Sequence, residues 1–216
     1  MKKALVLAGS RGIGKGIADS LNQIDDLNVT STSTSILDTS NVDQVKDFVK
    51  KEKTTDILVL NTGGPPSQKF RDITKEDCER YHNQLFYSFF YILQNLKIND
   101  GGFIFLVSSF NVKEPSGKLL LSNAYRVAFI SVLKCLSKEF SQRNITTLNI
   151  APGPIDTDRL RGLVDDMDKL SKKLPLNRVG TVEEIGVFVK SIVENNIKYL
   201  NGVTINFDGG HSNFIF

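Results

Sequence analysis

The sequence predicts an α/β fold in which helices cover both faces of a parallel sheet. Short apolar runs alternate with segments whose apolar residues recur at helical spacing, and the first apolar run leads through a glycine turn straight into such a segment. This alternation is typical of parallel sheets. The chain has 216 residues, which favours one large domain over two small ones. Residues 1–216 are therefore predicted to form a single domain.

The first half of the chain contains three predicted strands and two predicted helices. Residues 4–8 (ALVLA) are continuously apolar, as expected of a strand that is buried on both faces. Residues 29–33 and 57–60 are the next two strands. Residues 13–24 and 42–49 carry apolar side chains at helical spacing and are predicted helices.

A short gap after the second strand removes one element. Parallel neighbours need a crossover of about 10–12 residues or more, and the stretch between residues 29–33 and Val42 leaves no room for another helix. The helix expected between the second and third strands is therefore missing. Residues 36–37 are either no strand at all or a short piece at the sheet edge, so the prediction is six strands, or seven.

The second half of the chain continues the alternation. A long helix begins at Thr74, and a capping box of Thr181 and Glu184 begins the last helix. The predicted helices cover residues 74–96, 120–140 and 181–193, and the predicted strands cover residues 103–107, 145–150 and 203–207.

Composition argues against several classes of partner. The net charge is only +3 and no basic run exceeds Lys50-Lys51, so neither nucleic acid nor an anionic membrane is an expected partner. No apolar run reaches the roughly 18 residues of a membrane span. The two histidines, His82 and His211, are isolated in sequence, and no metal site is expected.

The N-terminus and the cysteines indicate a cytoplasmic protein. The apolar run after Met1 stops at a glycine loop within six residues, which fits a first strand better than a signal peptide. Cys78 and Cys135 form no CxxC motif and are predicted to be buried thiols in a reducing compartment.

The glycine turn has the context of a dinucleotide site. In LAGSRGIGKGIA, residues 7–18, a strand enters a glycine turn that opens a helix. Glycine lets the backbone approach a diphosphate, and the helix N-terminus supplies N–H groups and a positive dipole. The predicted contacts are Gly9, Ser10, Arg11, Gly12 and Ile13. The alternative is that these glycines serve helix packing alone.

The residues after the second strand favour NADP(H), with NAD(H) possible. NAD sites commonly place a carboxylate on the ribose 2′-hydroxyl, but the second strand ends in TSTSTS, residues 30–35, without an acidic residue. Arginine and hydroxyl groups suit a 2′-phosphate, which makes Arg11, Ser31 and Thr32 candidates. The alternative is that TSTSTS is only a β-prone strand end.

Six motifs in order resemble those of the short-chain dehydrogenase/reductase family, over nearly the full chain. They are AGSRGIG (8–14), LDTSN (37–41), LNTGG (60–64), FIFLVSS (103–109), ITTLNIAPGPIDTD (145–158) and GVTINFDGG (202–210). The chain is most similar to a divergent branch of proteins like 3-oxoacyl-(acyl-carrier-protein) reductase. The resemblance implies a Rossmann-type doubly wound sheet and hydride transfer between a nicotinamide cofactor and a small carbonyl or alcohol substrate.

The resemblance also implies a set of cofactor contacts. Asp38 corresponds to the residue that contacts adenine, and the remaining positions lie in the loops after two later strands. They are Asn61, Thr62, Gly63, Pro152, Gly153, Ile155 and Thr157. Ala8 stands where typical members have glycine, and its Cβ is expected to crowd the turn unless Gly9 lets the loop take another path.

The catalytic helix departs from the family pattern. Counting forward from Ser109 and back from LKCLSKEF places Ser122 at the usual tyrosine position and Arg126 at the usual lysine position. The helical asparagine of the family aligns near Gln84. A serine hydroxyl is a far weaker acid than tyrosine, and an arginine binds ribose hydroxyls but does not pass on a proton.

Tyr125 is a possible substitute for the missing tyrosine. Residues three apart on a helix are neighbours, so its hydroxyl could reach the cleft beside Ser122 and Arg126. The alternative is that Tyr125 packs in the core or in an interface. The departures also leave two other functions open: a nucleotide-binding sensor or assembly partner without redox chemistry, and a structural oligomer with an empty cleft.

One helix predicts self-association. Residues 85–93 (LFYSFFYIL) are apolar nearly all round, so the helix must be covered on more than one side. One side is expected to face the sheet and the other a second subunit. The prediction, which the resemblance also implies, is a homodimer or homotetramer.

Overall fold

Six parallel strands form one sheet in the computed structural model, which describes residues 1–215; Phe216 lies outside the described residues. The order across the sheet is β2-β1-β3-β4-β5-β6, and each neighbouring pair is parallel. The predicted parallel sheet of six strands is therefore confirmed. Their bounds are β1 Lys2–Val6, β2 Leu27–Ser31, β3 Thr54–Leu60, β4 Lys97–Val107, β5 Thr146–Pro152 and β6 Val203–Phe207.

The stretch between β2 and the next helix contains no further strand or helix. Ile36 lies in a turn, and Leu37 is irregular in backbone but buried at 5% exposure in the core. Of the two alternatives for residues 36–37, the lost strand is therefore the one observed. The sheet consequently ends at β2, which is an edge strand.

Eight α-helices flank the sheet within residues 1–215. Their bounds are α1 Gly12–Leu21, α2 Val42–Glu52, α3 Lys75–His82, α4 Ser88–Asn95, α5 Leu120–Ser141, α6 Asp158–Arg161, α7 Met167–Ser171 and α8 Val182–Glu194. The short helices α6 and α7 were not predicted, because they are too short and too polar to show an apolar period. Each begins at a side-chain cap, Thr157 for α6 and Asp166 for α7.

The long helix predicted for residues 74–96 is interrupted by a π-helical turn. Asn83–Tyr87 forms this turn between α3 and α4, and the capping box at its start joins Thr74 and Asp77. A π turn adds one residue to a helical turn and is frequent at functional sites. The sequence does not indicate this π turn, because LFYSFFYIL is apolar on nearly every side and would fit an uninterrupted α-helix equally well.

Side chains of β1 alternate between two cores, one on each face of the sheet. Leu5 belongs to the core formed with α2, α4 and α5, whereas Ala4 and Val6 belong to the core formed with α1 and α8. Burial on both faces is the reason that this strand is apolar at every position. The arrangement confirms helices on both sides of the sheet.

Helices α1 and α8 approach each other through glycine. A Cβ added to Gly16 would stand 2.3 Å from the carbonyl oxygen of Val182, and one added to Gly186 would stand 2.2 Å from the carbonyl oxygen of Gly16. Both distances lie far inside van der Waals contact. The backbones of the two helices are therefore as close as glycine allows, which fixes α1, and with it the glycine turn, against α8.

The cysteines differ from the prediction of buried thiols. Cys135 is exposed and Cys78 is only half-buried, and neither forms a disulfide. Cys135 lies on α5, whose buried residues include Phe129, Leu133 and Ser137 but not position 135.

Within residues 1–215, no helix combines the length and the apolarity needed to cross a membrane.

The start of α8 should make stability depend on acid pH. The Arg178 guanidinium, followed by the Thr181 backbone N–H, lowers the pKa of Glu184 to about 2 from 4.5. Because the folded-state pKa is depressed, this stabilisation is fully present above the unfolded value of 4.5 and is lost as pH falls from there toward 2. We expect Glu184→Gln to lower the melting temperature at pH 7, with the difference from the wild type shrinking below pH 4.5.

Melting curves between pH 7 and pH 2 measure this effect. Glu183→Gln is the matched control, because Glu183 lies in the same first turn but outside the capping box. A wild-type to Glu184→Gln difference that stays constant across the acid range would contradict the assignment.

Candidate active site

The loops that follow β1, β3, β4 and β5 meet at one edge of the sheet. These strands are parallel, and their last residues stand side by side, as in the pairs Val6 with Val59, Leu60 with Leu106, and Val107 with Ile150. In open α/β sheets, ligands bind outside the carboxyl ends of the strands. Most of the site residues predicted from the sequence lie at this edge.

The glycine turn is held in place by two polar side chains. The Ala8 N–H donates to Thr32 Oγ1 at 3.0 Å, and Asn61 Nδ2 donates to the Ala8 carbonyl at 3.3 Å. Ala8 itself is left-handed, with φ of 47°, so the loop does not take another path through Gly9, and the expected crowding becomes backbone strain. Asn61 and Thr32 therefore position the turn.

The N-terminus of α1 is open to a cleft. Arg11 occupies the cap position without a side-chain cap hydrogen bond, and the first turn has no acidic residue. A Cβ on Gly12, which has φ of +55°, would stand 3.5 Å from Thr157 Cγ2 across the cleft. The cavity here has a volume of about 270 Å³ and is lined by Gly12, Asp156 and Thr157 among others. Asp158 and Arg161 also line it, and Arg161 pairs with Asp156. Helix N–H groups at a cleft where Gly12 lets a ligand approach the backbone fit a diphosphate.

The candidates for a 2′-phosphate separate into two kinds. Thr32 is only 1% exposed and its hydroxyl accepts the Ala8 N–H, so it supports the turn from beneath and is too buried to reach a phosphate. Arg11 and Ser10 are exposed, and Ser31 is half-buried. Ser31 Oγ stands 2.8 Å from where a Cβ on Gly9 would be, at the mouth of the turn. Arg11 and Ser31 therefore remain candidates.

The loops after β2 and β3 are joined by a hydroxyl and amide network. Thr39 Oγ1 and Thr62 Oγ1 are 2.8 Å apart, and Gln84 Nε2 donates to Thr62 Oγ1 at 3.2 Å and to the Gly63 carbonyl at 3.0 Å. Gln84 lies in the π-helical turn, which brings its amide to the loop. Asp38 accepts from the Ser40 N–H and hydroxyl, and so shapes the turn before α2.

The loop after β5 forms the opposite wall through its backbone. The Gly153 N–H donates to the Phe207 carbonyl at 3.0 Å, and Ile155, 4% exposed, pairs with Gly180. The Thr157 hydroxyl accepts the Leu160 N–H at 3.2 Å and donates to the Ile155 carbonyl at 3.3 Å. Pro152 is buried at the end of β5. These residues shape the cleft.

Ser122 and Arg126 are buried together beside the end of β4. Arg126 Nε donates to Ser122 Oγ at 3.2 Å, and Arg126 Nη1 donates to the carbonyl of Val107, the last residue of β4, at 2.8 Å. Their exposures are 5% and 8%. Because the serine oxygen accepts from Arg126, its own proton is free to be donated.

Ser109 and Tyr125 are not joined to this pair by a recorded hydrogen bond. Ser109 Oγ accepts the Asn111 N–H at 3.2 Å and caps a 3₁₀ turn. The Tyr125 hydroxyl donates to the Cys78 carbonyl at 3.0 Å, and burial raises the pKa of that hydroxyl. Tyr125 therefore contacts α3, as in the packing alternative.

Arg159 is a site residue that the sequence reasoning missed. Its Nη1 donates to the Gly64 carbonyl at 2.8 Å and its Nη2 to the Pro65 carbonyl at 2.9 Å. The side chain thus crosses from the loop after β5 to the loop after β3. A signal was present in GGPP: two consecutive prolines supply no N–H groups, so the neighbouring carbonyls need donors from elsewhere.

The two arginines make the site strongly positive. Burial, and secondly the charge of Arg159, lower the pKa of Arg126 to about 10 from 12.5. Much of Arg159 is open to solvent, but its guanidinium is held against two carbonyls, and burial of that end lowers its pKa. Both groups remain charged at neutral pH. Residues 1–215 contain no group of three or more His, Cys, Asp or Glu residues arranged to hold a metal.

Comparisons with known proteins agree with this geometry. The family model described as enoyl-(acyl carrier protein) reductase matches residues 25–212. The chain is 28% identical to the 3-oxoacyl-[acyl-carrier-protein] reductase FabG of Chlamydia muridarum, with 97% of this chain and 96% of the relative covered. It is 29% identical to the FabG of Chlamydia pneumoniae, again over 97% and 96%.

Two solved structures show the same fold. A short-chain dehydrogenase/reductase from Serratia marcescens superposes with a TM-score of 0.86 at 26% identity, covering 98% of each chain. A blue fluorescent protein from a metagenomic library, in complex with NADPH, superposes with a TM-score of 0.86 at 25% identity, again over 98% of each chain.

Proposed function

Because this chain belongs to the short-chain dehydrogenase/reductase family, we propose that it is an NADP(H)-dependent oxidoreductase acting on a carbonyl or alcohol substrate. The observation that carries the proposal is the cleft between the uncapped N-terminus of α1 and Thr157, taken together with the buried Ser122–Arg126 pair at the end of β4. One wall suits a diphosphate, and the pair supplies polar groups for a reacting oxygen.

NADP(H) is favoured over NAD(H) by the residues at the end of β2. Ser31 is the last residue of β2, and Arg11 lies exposed in the glycine turn. No acidic residue stands at this position to accept a ribose 2′-hydroxyl, whereas arginine and a hydroxyl suit a 2′-phosphate. The NADPH complex of the metagenomic blue fluorescent protein is consistent with the same choice.

The bound cofactor would supply or accept the hydride. In this chain, Arg126 would stabilise negative charge that develops on the substrate oxygen, since it is fixed by Ser122 and by the Val107 carbonyl and has an Nη2 group with no recorded acceptor. Donors fixed in advance in a desolvated site stabilise such charge strongly. Ser122 and Ser109 would hydrogen-bond the same oxygen, with the proton drawn finally from water.

The test is a cofactor and turnover assay on the purified protein. We expect NADPH to bind more tightly than NADH, and NADPH to be oxidised in the presence of at least one member of a broad carbonyl panel. Preference for NADH would overturn the assignment of Arg11 and Ser31. Tight NADPH binding without turnover on any carbonyl would overturn the enzyme proposal.

A second candidate is a nucleotide-binding protein without redox chemistry, acting as a sensor or assembly partner. The observation in its favour is that the Tyr125 hydroxyl donates to the Cys78 carbonyl, in a chain where residue counting predicts Ser122 and Arg126 at the usual tyrosine and lysine positions. It shares the cofactor cleft with the first proposal, and only the turnover assay separates the two.

We also propose a cytoplasmic location, on sequence grounds alone.

Self-association is proposed through the surface of the π turn and α5. Phe86 and Phe90 are only partly buried, and Val127, on α5, is 47% exposed. We expect a homodimer or homotetramer in solution, and Val127→Asp to lower its order, because an interface buries such a side chain and a carboxylate there would be desolvated. Light scattering after size-exclusion chromatography measures this.

Two outcomes bear on that proposal. The melting temperature of Val127→Asp at low protein concentration should match that of the wild type, since the side chain is exposed in the single chain. A wild-type protein that is monomeric at tens of micromolar would overturn the proposal.

A further inference from the structure

We infer that Arg126 and Arg159 bind a carboxylate of the substrate, which makes oxo acids and their hydroxy-acid partners the substrate class. The inference deepens the proposed function and rests on it for the reaction, though not for the binding. The carbonyl carbon would receive the hydride and its oxygen a proton from water, while the carboxylate stays unchanged and the cofactor is oxidised.

The two guanidinium groups converge on one side of Gly64. The point where a Cβ on Gly64 would stand is 2.8 Å from Arg159 Nη2 and 3.5 Å from Arg126 Nη2. The two nitrogens are therefore separated by no more than the sum of these distances. That is a span which the two oxygens of one carboxylate can bridge, with one oxygen toward each arginine.

The charges of these two arginines are not balanced by the protein. Three other arginines form ion pairs although their side chains are 40%, 51% and 62% exposed: Arg143 with Asp100, Arg178 with Glu184 and Arg161 with Asp156. Among residues 1–215, neither Arg126 nor Arg159 forms an ion pair.

Arg126 is the arginine that most needs a counterion. It is only 8% exposed, and a buried charge is costly unless it is paired. Its Nε and Nη1 have acceptors, the Ser122 hydroxyl and the Val107 carbonyl, but none is recorded for Nη2. A second cation beside it raises the cost further. An anion between the two arginines would offset both the cost of burying the Arg126 charge and its repulsion by Arg159.

A carboxylate fits better than a phosphate of the cofactor. The diphosphate has its own place at the N-terminus of α1, beside Gly12 and Thr157. The arginine pair lies instead at the ends of β3 and β4, where Gly64 and the Val107 carbonyl are located. Arg126 Nη2 carries two N–H groups, so it can donate one to the carboxylate and the other to the reacting carbonyl oxygen of the same substrate.

The test measures binding in a complex that cannot react. With the protein saturated with NADP⁺, and again without it, pyruvate, acetoacetate and levulinate are each titrated by calorimetry against their methyl esters. These acids place the carbonyl at increasing distance from the carboxylate. At least one acid should bind about 10- to 100-fold more tightly than its ester, the range expected of hydrogen bonds between charged groups.

Arg159→Met should remove this preference. The variant should bind that acid about 10- to 100-fold more weakly and the ester unchanged, with Arg159→Lys in between. Lys169→Met is the matched control: it removes one positive charge from exposed α7, in the same segment, and should behave as wild type. Melting curves establish that each variant is folded, and Arg159→Gln replaces Arg159→Met if that variant is not.

Three outcomes would overturn the inference. They are equal binding of every acid and its ester, no binding of any acid at millimolar concentration, and an Arg159→Met variant whose defect is in NADP⁺ affinity and not in acid affinity. The proposed function fails separately: if acids bind in an Arg159-dependent way but NADPH is never oxidised, the carboxylate site stands and the enzyme proposal falls.

Discussion

Arg126→Met should lower the rate of carbonyl reduction by about 10²- to 10³-fold, the range for loss of one fixed donor to a developing oxyanion. Methionine replaces the apolar stem of arginine with a shorter apolar side chain and removes the charge beside Ser122 and Val107. Arg126→Lys should retain more activity, because it keeps a cation at the same place. Single-turnover rates with saturating NADPH measure the effect.

The same variant should be no less stable than the wild type. Removing an unpaired buried charge relieves a desolvation penalty of several kcal/mol per ion, while the lost hydrogen bonds contribute roughly 1.5–3 kcal/mol each when one partner is charged. A melting temperature equal to or above that of the wild type, together with the loss of rate, would show that Arg126 is retained for binding or chemistry. Full activity of Arg126→Met would remove Arg126 from the mechanism.

Gly186→Ala should destabilise the fold by about 3 kcal/mol, at the upper end for an overpacked core. The new Cβ would stand 2.2 Å from the Gly16 carbonyl oxygen and 2.3 Å from Ser20 Oγ, so a helix has to move. For a domain of this size, we expect the melting temperature to fall by about 6–12 °C.

Gly117→Ala is the control for that substitution. Gly117 has no heavy atom within 4 Å of an added Cβ, and its backbone is not left-handed. Its replacement should be neutral or slightly stabilising, by about 0.4–1 kcal/mol, because alanine restricts the unfolded chain. Equal melting temperatures for the two variants would contradict the close helix contact.

The sheet could be predicted from sequence because its strands are buried on both faces. The apolar runs at residues 4–8, whose first three residues lie in β1, and at residues 103–107 in β4 have no reason to be so apolar unless both sides are covered. The bounds of β6 agree with the prediction, and the missing element after β2 followed from chain length alone. Burial imposes the apolar pattern of the strands, and the length of the connection excludes the missing element.

The candidate site was less predictable because contacts between distant loops decide it. Thr32 has the right chemistry for a phosphate, but it is buried beneath the glycine turn, where its hydroxyl accepts the Ala8 N–H. Tyr125 was placed near the cleft by helical spacing, whereas the packing of α5 on α3 turns it toward Cys78. Arg159 donates a hydrogen bond to the Gly64 carbonyl, 95 residues away in the sequence. No periodicity of the sequence indicates a contact between residues so far apart.

The glycine contact between α1 and α8 also restricts how the cleft can open. Gly180, just before α8, exchanges backbone hydrogen bonds with Pro154 and Asp156 in the opposite wall, and Gly16 and Gly186 lock α1 to α8. The two walls therefore move as one body with the sheet. The segment from α6 to α7 is then the part of the cleft wall with the most freedom to move, and we expect its opening to require release of Arg159 from the Gly64 and Pro65 carbonyls.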